Sequence, residues 1–269
     1  MEPTTLTQPS ILDRALAFQR ELDRSLATRV EDAPWGTALF RDDLPRVTDV
    51  NVVIAERIGG LDAAGLMAEA DRLQAGLPHR AVRVDDVWAA ASLAPDFAAA
   101  GWLVSRTALM VLRRAPDRII DTSDVAEVDL ERIRVAREAA FRRVHRDLDV
   151  AAEAIELGAV QTDLAPVRAF ASIVGTEVAA YCLLRVGDGA AKLVEVEALA
   201  RSQGHGAGRA TIWAATRAAR SALVNPILVE CADEEWSKSV YRRLGFDEAG
   251  KVHRFVRPWG DEPLAPRAA

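Results

Sequence analysis

The sequence predicts an α+β protein built on a mixed, largely antiparallel sheet flanked by helices. Three observations carry that reading. Strand-like runs at 167–174, 177–186 and 192–199 follow one another with only tight turns between them, which requires antiparallel pairing and excludes a doubly wound parallel sheet. A glycine-rich loop then leads from the last of these strands into a helix. The flanking segments alternate helical and strand periodicity in both halves of the chain. With 269 residues, 50% hydrophobic and 28% charged, there is ample apolar material for one large domain or two small ones, and too much for a disordered chain.

Taken in order, Ser10 followed by Asp13 has the form of a capping box. Leu12, Leu16, Gln19, Leu22 and Leu26 then recur at helical spacing, predicting an amphipathic helix that fills the first 30 residues and ends before Asp32-Ala33-Pro34. Strands are expected at 37–40 and 50–55, a helix at 62–75, a strand at 81–84, a helix at 87–100 and a strand at 102–112. The run Arg113-Arg114-Ala115-Pro116-Asp117-Arg118 breaks the pattern and is the expected boundary between a first unit, 31–116, and a second, 117–262, with a tail at 263–269.

The second unit restarts with a short strand at 126–129 and helices at 130–146 and 150–157. The hairpin around Gly175-Thr176 and the strand at 192–199 follow. After the glycine-rich loop come a helix to about 222, a strand at 227–231, a helix at 234–244 and a last strand at 252–257. Phe97-Ala98-Ala99-Ala100-Gly101-Trp102 aligns with Tyr241-Arg242-Arg243-Leu244-Gly245-Phe246: a helix stops at glycine, an aromatic follows and a strand begins. This internal match predicts two related halves.

The segment that points to chemistry is Glu195-Val196-Glu197-Ala198-Leu199-Ala200-Arg201-Ser202-Gln203-Gly204-His205-Gly206-Ala207-Gly208-Arg209. Glycines at 204, 206 and 208 permit a tight turn and close approach of a ligand to backbone amides, and the first helical turn that follows is an anion site. Three phosphate-binding readings compete. A P-loop needs a Gly-Lys-Ser/Thr ending that is missing. A dinucleotide fingerprint needs its third glycine one position later, although Glu230 stands where a ribose-binding acid would. The pattern Gln-x-x-Gly-x-Gly/Ala is met by Gln203-Gly204-His205-Gly206-Ala207-Gly208.

That third pattern, with Tyr241-Arg242-Arg243-Leu244-Gly245-Phe246 at the right distance after it, resembles the GNAT superfamily of acyl-CoA-dependent N-acetyltransferases over residues 127–257. The resemblance implies a GNAT fold, with a catalytic C-terminal domain and a smaller, degenerate GNAT-like N-terminal one. It implies that amides of Gln203, Gly204, His205, Gly206, Ala207, Gly208 and Arg209 hold the pyrophosphate of acetyl-CoA. Val196, Glu197 and Ala198 would pair with the pantetheine arm and polarise the thioester carbonyl. The strand at 227–231 would splay away to open the cleft, and Tyr241 would protonate the departing thiolate. The base that takes a proton from the amine would be a carboxylate of the pair Glu195 and Glu197, Glu195 first, with Glu230 as the rival. By period two, Glu195 and Glu197 share a face opposite Val194 and Val196. Glu234 and Ala200 depart from the family's frequent asparagine and proline. The N-terminal half has no such loop, and Phe97 in place of Tyr241 donates no proton.

Each of these residues also has a plain reading: Glu195 and Glu197 as a solvated strand face, Glu230 as a sheet-edge charge, Tyr241 as a core aromatic. The net charge of −6 argues against nucleic acid or an anionic membrane as partner and is compatible with a cationic small substrate. His79, His145, His205 and His253 lack metal-ligand spacing, and Cys182 and Cys231 read as buried strand residues of a reduced, cytoplasmic protein. The expected activity is acetyl transfer to a primary amine by direct attack in a ternary complex. The acceptor is expected to be a small molecule, with a protein N-terminus or lysine as the other open class, and a homodimer is compatible with the sequence. Non-catalytic acyl-CoA binding, or a dinucleotide-dependent oxidoreductase, are the alternatives.

Overall fold

The computed structural model describes residues 9–164, 166–187, 189–199, 206–234 and 236–258. The first helix among the described residues is α1 (Ile11–Leu26), started by a reciprocal cap: the Asp13 amide donates to Ser10 Oγ at 3.1 Å and the Ser10 amide to Asp13 Oδ2 at 2.9 Å. The helix stops at Leu26 rather than filling the first 30 residues. Ala27 is extended and strand β1 (Arg29–Ala33) forms instead. This strand lies at the sheet edge with exposed, mostly polar side chains, so it carries no apolar alternation by which to recognise it.

The rest of the first half comprises β2 (Gly36–Phe40), β3 (Val52–Ala55), α2 (Ala63–Leu73), β4 (His79–Val84), α3 (Val87–Ala99) and β5 (Leu103–Leu112). The second half comprises β6 (Val125–Val128), α4 (Leu130–Val144), α5 (Leu148–Leu164), β7 (Val167–Val174), β8 (Glu177–Gly187), β9 (Ala190–Ala198), α6 (Ala207–Ser221), β10 (Ile227–Ala232), α7 (Ser237–Arg243) and β11 (Phe246–Pro258). The last strand starts at Phe246, six residues before the apolar alternation at 252, because Asp247, Glu248 and Lys251 and a bulge at Glu248/Gly250 disguise its first part. Helix α7 starts at Ser237 rather than 234.

Among the described residues all eleven strands form one sheet, ordered β1-β2-β3-β4-β11-β5-β10-β9-β8-β7-β6. The halves repeat a pattern: β2 and β3 antiparallel, then β3 and β4 parallel; β8 and β9 antiparallel, then β9 and β10 parallel. They are interlocked, since β11 lies between β4 and β5, and β5 between β10 and β11. The internal sequence match is the structural one. Phe97 meets Trp102 edge-on (5.1 Å, 83°), and Tyr241 meets Phe246 in the same way (6.1 Å, 71°). Helices α2 and α3 pack with Phe40, Val53 and Phe255, and α6 and α7 with Cys182, Leu193 and Phe246, on one side of the sheet. Helix α1 covers Leu109, Leu228 and Val252, and α4 covers Ala169, Ala171 and Leu183, on the other.

Candidate functional site

The first feature is the junction between β9 and α6. Gly206 has φ +89° and stands at the N-cap of α6, where it has no side chain to cap the helix, and among the described residues no side chain caps the amides of that first turn. Gly208 sits where an added Cβ would come to 3.4 Å from the Cβ of Ala198, holding the helix start against the end of β9, and Arg209 reaches back over Gly206. Gln203, Gly204 and His205, with Ala200, Arg201 and Ser202, lie outside the described residues. The corresponding helix of the first half is closed to an anion. Asp62 caps α2 by accepting from the Gly65 amide at 2.8 Å, placing a carboxylate where a phosphate would sit.

The second feature is a splay. Strands β9 and β10 pair in parallel only at Ala191–Ile227, Lys192–Leu228 and Leu193–Val229. Beyond that point β9 stays with β8, and β10 stays with β5, so two strand edges face each other across a gap. In the first half the β3–β4 ladder also has three pairs, but β3 ends at the third, Ala55, and leaves no diverging arm.

At the fork β9 carries a bulge: Leu183 opposes Val194 and Tyr181 opposes Glu197, leaving Glu195 and Val196 together opposite Cys182, with Glu195 at φ +49°. The extra residue shifts the side-chain phase, which corrects the period-two expectation. Glu195 and Glu197 do point to one side, towards α4, but Val194 joins them, packing in the cluster of Ile133, Tyr181 and Leu183. Val196 alone turns to the α6 side.

On the α1, α4 and α5 side the fork opens into a cavity of about 740 Å³. Glu195, Val196 and Glu197 of β9, Glu230 of β10, Tyr181 and Arg185 of β8, and Lys192 line it, and the first half contributes Asp23, Asp49 and His79. Each candidate base carries a cationic neighbour. Arg137 donates to both oxygens of Glu195 at 2.6 Å, Arg143 to one oxygen of Glu197 at 2.6 Å, and Lys192 Nζ lies 3.0 Å from Glu230. Glu230 is therefore not a sheet-edge charge, since β10 is an interior strand, nor is the Glu195–Glu197 face simply solvated. Burial, then the charges of Glu195 and Glu197, push the Tyr181 hydroxyl far above its ordinary range, so it stays protonated. Burial lowers His79 to about 4.

Tyr241 lies elsewhere. Its ring is only 2% exposed, in the core between α6, α7 and the opposite side of the sheet, and does not line the cavity. Glu234 is exposed and pairs with Arg106. Both cysteines are buried and reduced, and burial raises the Cys182 thiol well above its usual value, which suits packing rather than nucleophilic attack. Among the described residues no group of three His, Cys, Asp or Glu side chains could hold a metal, and no helix is long and apolar enough to cross a membrane. The cavity residues that the sequence did not disclose are Tyr181, Arg185 and Lys192, together with the partners Arg137 and Arg143. Their only signal was a charged or polar residue in an otherwise apolar strand, as at Arg185 and Lys192.

A scan against protein-family models finds no match, and neither does a search of curated protein sequences. Solved structures are similar in fold. A GCN5-related N-acetyltransferase from Kribbella flavida superposes with a TM-score of 0.66 at 18% identity, covering 94% of this chain and 98% of that one. A functionally unknown conserved protein from Staphylococcus epidermidis gives 0.66 at 12% identity, covering 86% and 94%. A tandem GNAT protein from the clavulanic acid biosynthesis pathway gives 0.50 at 12% identity, covering 74% and 70%. The similarity spans both halves of the chain, and the chain has the fold of the GCN5-related N-acetyltransferases, with two GNAT-like halves.

Proposed function

We propose that the protein is an acetyl-CoA-dependent N-acetyltransferase whose second half carries the reaction and whose acceptor is a small primary amine. The observation that carries this reading is the fork between β9 and β10, which leads from the glycine start of α6 at Gly206 on one side to a cavity lined with carboxylates on the other. The residues fit an acyl-CoA. The first-turn amides around Gly206, Ala207, Gly208 and Arg209 would hold a pyrophosphate. The edge of β9 through Val196, Glu197 and Ala198 would hydrogen-bond an extended pantetheine, and an amide at the bulge would face the thioester oxygen. The thioester supplies the activated acyl group. A cavity of this size takes a small molecule rather than a folded protein surface.

For the amine to attack, its ammonium must first lose a proton to a carboxylate. Glu195 has both oxygens occupied by Arg137, which suits it to holding the bulge in place. Glu197 accepts from Arg143 through one oxygen and is the better base, with Glu230 across the fork as the rival. The attacking nitrogen forms its bond to the acyl carbon as the carbon–sulfur bond breaks, and its surplus proton ends on the departing thiolate, directly or relayed by Tyr241, the donor that the family resemblance names, which lies buried across the sheet from the cavity. The ion pairs on all three carboxylates favour a second reading, in which the protein binds an acyl-CoA without turning it over.

Thermal shift with CoA, acetyl-CoA, NADH and ATP, followed by thiol release with an amine panel, separates the readings. Stabilisation by CoA and acetyl-CoA alone, with thiol release that falls at least about tenfold in Glu197→Gln, supports catalysis. CoA binding without release supports the second reading. A response to NADH but not CoA defeats both.

A further inference from the structure

We propose that the acceptor amine also carries a carboxylate, and that Arg185 is the residue that binds it; this rests on reading the cavity as the acceptor site. Arg185 lines the cavity from β8, yet it is only 5% exposed. Its hydrogen-bond partners are neutral: Nη1 donates to the Gln161 carbonyl at 2.9 Å and Nη2 lies 3.5 Å from Gln161 Oε1, while Glu195, held by Arg137, acts on it only from beyond contact. The other lysine or arginine side chains around the fork each have an acid: Arg137 has Glu195, Arg143 has Glu197, and Lys192 has Glu230. Among the described residues no carboxylate comes within ion-pair distance of Arg185.

Its position makes that absence costly. In the β8–β9 register Arg185 stands directly opposite Lys192, itself 6% exposed, so two buried cations face each other across one strand pair, and Lys192 is the one of the two that pairs with Glu230. Like charges opposite one another destabilise a sheet, and a buried guanidinium without a counter-ion is a further cost. An uncharged side chain would tie Gln161 of α5 to β8 without either penalty. A ligand carboxylate provides what the site lacks: two oxygens for a guanidinium fork, in a part of the cavity screened from water. A carboxylate on Arg185 would place the ligand in the same cavity as Glu197 and the fork.

The test uses reaction products, so that binding is read without turnover. N-acetyl amino acids spanning apolar, polar, acidic and basic side chains are titrated calorimetrically against the full chain, each beside its N-acetyl amino acid amide, with CoA titrated in parallel. The expected result is that at least one free carboxylate binds at least about tenfold more tightly than its amide, that Arg185→Gln abolishes the difference, and that Arg185→Lys keeps part of it. CoA affinity is expected to be unchanged in both variants, which shows that they fold. Equal binding of acid and amide, no binding of any acid at millimolar concentration, or discrimination that survives in Arg185→Gln would each overturn the proposal. Failure of wild type to bind CoA overturns the acetyltransferase reading instead, and the acid–amide comparison still decides the role of Arg185.

Discussion

His79 should make the protein's stability depend on pH in a range where few other groups titrate. It stands at the start of β4 in the wall of the cavity, 5% exposed, with its Nε2 donating to the Asn51 carbonyl at 3.2 Å. Burial, reinforced by Arg254 and Arg80 and opposed by the Asn51 hydrogen bond and Asp49, lowers its pKa from 6.5 to about 4. The unfolded chain therefore takes up a proton that the folded one refuses. The contribution to stability is complete above the unfolded value and is lost as the pH falls towards the folded value. Linkage puts the full loss at about 3 kcal/mol, of which about 2 is felt by pH 5. Denaturant unfolding at pH 7, 6 and 5 on the wild type and on His79→Gln, whose amide still reaches the Asn51 carbonyl, isolates this group. The expected wild-type loss between pH 7 and 5 exceeds that of the variant by about 2 kcal/mol. Parallel curves for the two proteins would refute the assignment of His79 as a buried neutral side chain.

Two further predictions concern the second half. Gly245→Ala forces φ +96° on a residue with a Cβ and places that Cβ 2.2 Å from the Arg114 carbonyl oxygen, whereas Gly101→Ala at the matching position (φ +80°) meets nothing within 4 Å. Melting curves should show a loss of about 1 kcal/mol for Gly101→Ala and several times that for Gly245→Ala; equal losses would contradict the close approach of the Arg114 segment. Asp233 is held at about 2 although burial works against its charge, because Lys238 and Lys251 both donate to it. Its contribution of about 2 kcal/mol is present above 3.8 and lost as the pH falls through about 2, so acid unfolding of Asp233→Asn should lack the steep component of the wild type in that window.

What the sequence disclosed was local. The Ser10 cap, the hairpin around Gly175, the glycine entry to α6 and the paired Gly101-Trp102 and Gly245-Phe246 endings each depend on residues within a few positions of one another, and they stand where expected. The strand exchange was not legible, because apolar alternation in β5 and β11 says that each is a strand and not which neighbour it takes. The bulge escaped for a different reason: φ +49° at a glutamate has no compositional mark, and its effect, turning Val194 to the side of Glu197, appears only in register. The ion pairs that hold the candidate bases join residues more than fifty positions apart, as in Arg137 with Glu195 and Arg143 with Glu197. The sequence therefore located the candidate carboxylates without giving their electrostatic state.

The exchange of β5 and β11 bears directly on what the first half is for. Asp62 closes its own helix start to phosphate, and β3 ends where a diverging arm would begin, so it has neither of the two features that make the second half a candidate acyl-CoA site. Yet β5 runs between β10 and β11, with Leu109 opposite Glu230 and Ala108 opposite Cys231. Without β5, the side of β10 away from the fork would be a bare edge, and the strand that carries Glu230 would lose the ladder that fixes its direction. The first half also brings Asp23, Asp49 and His79 to the cavity wall. Holding β10 apart from β9 requires that β10 be bound more firmly on its other side, and five register pairs with β5, against three with β9, supply that hold. The half without these two features thus shapes the candidate site of the other by donating a strand.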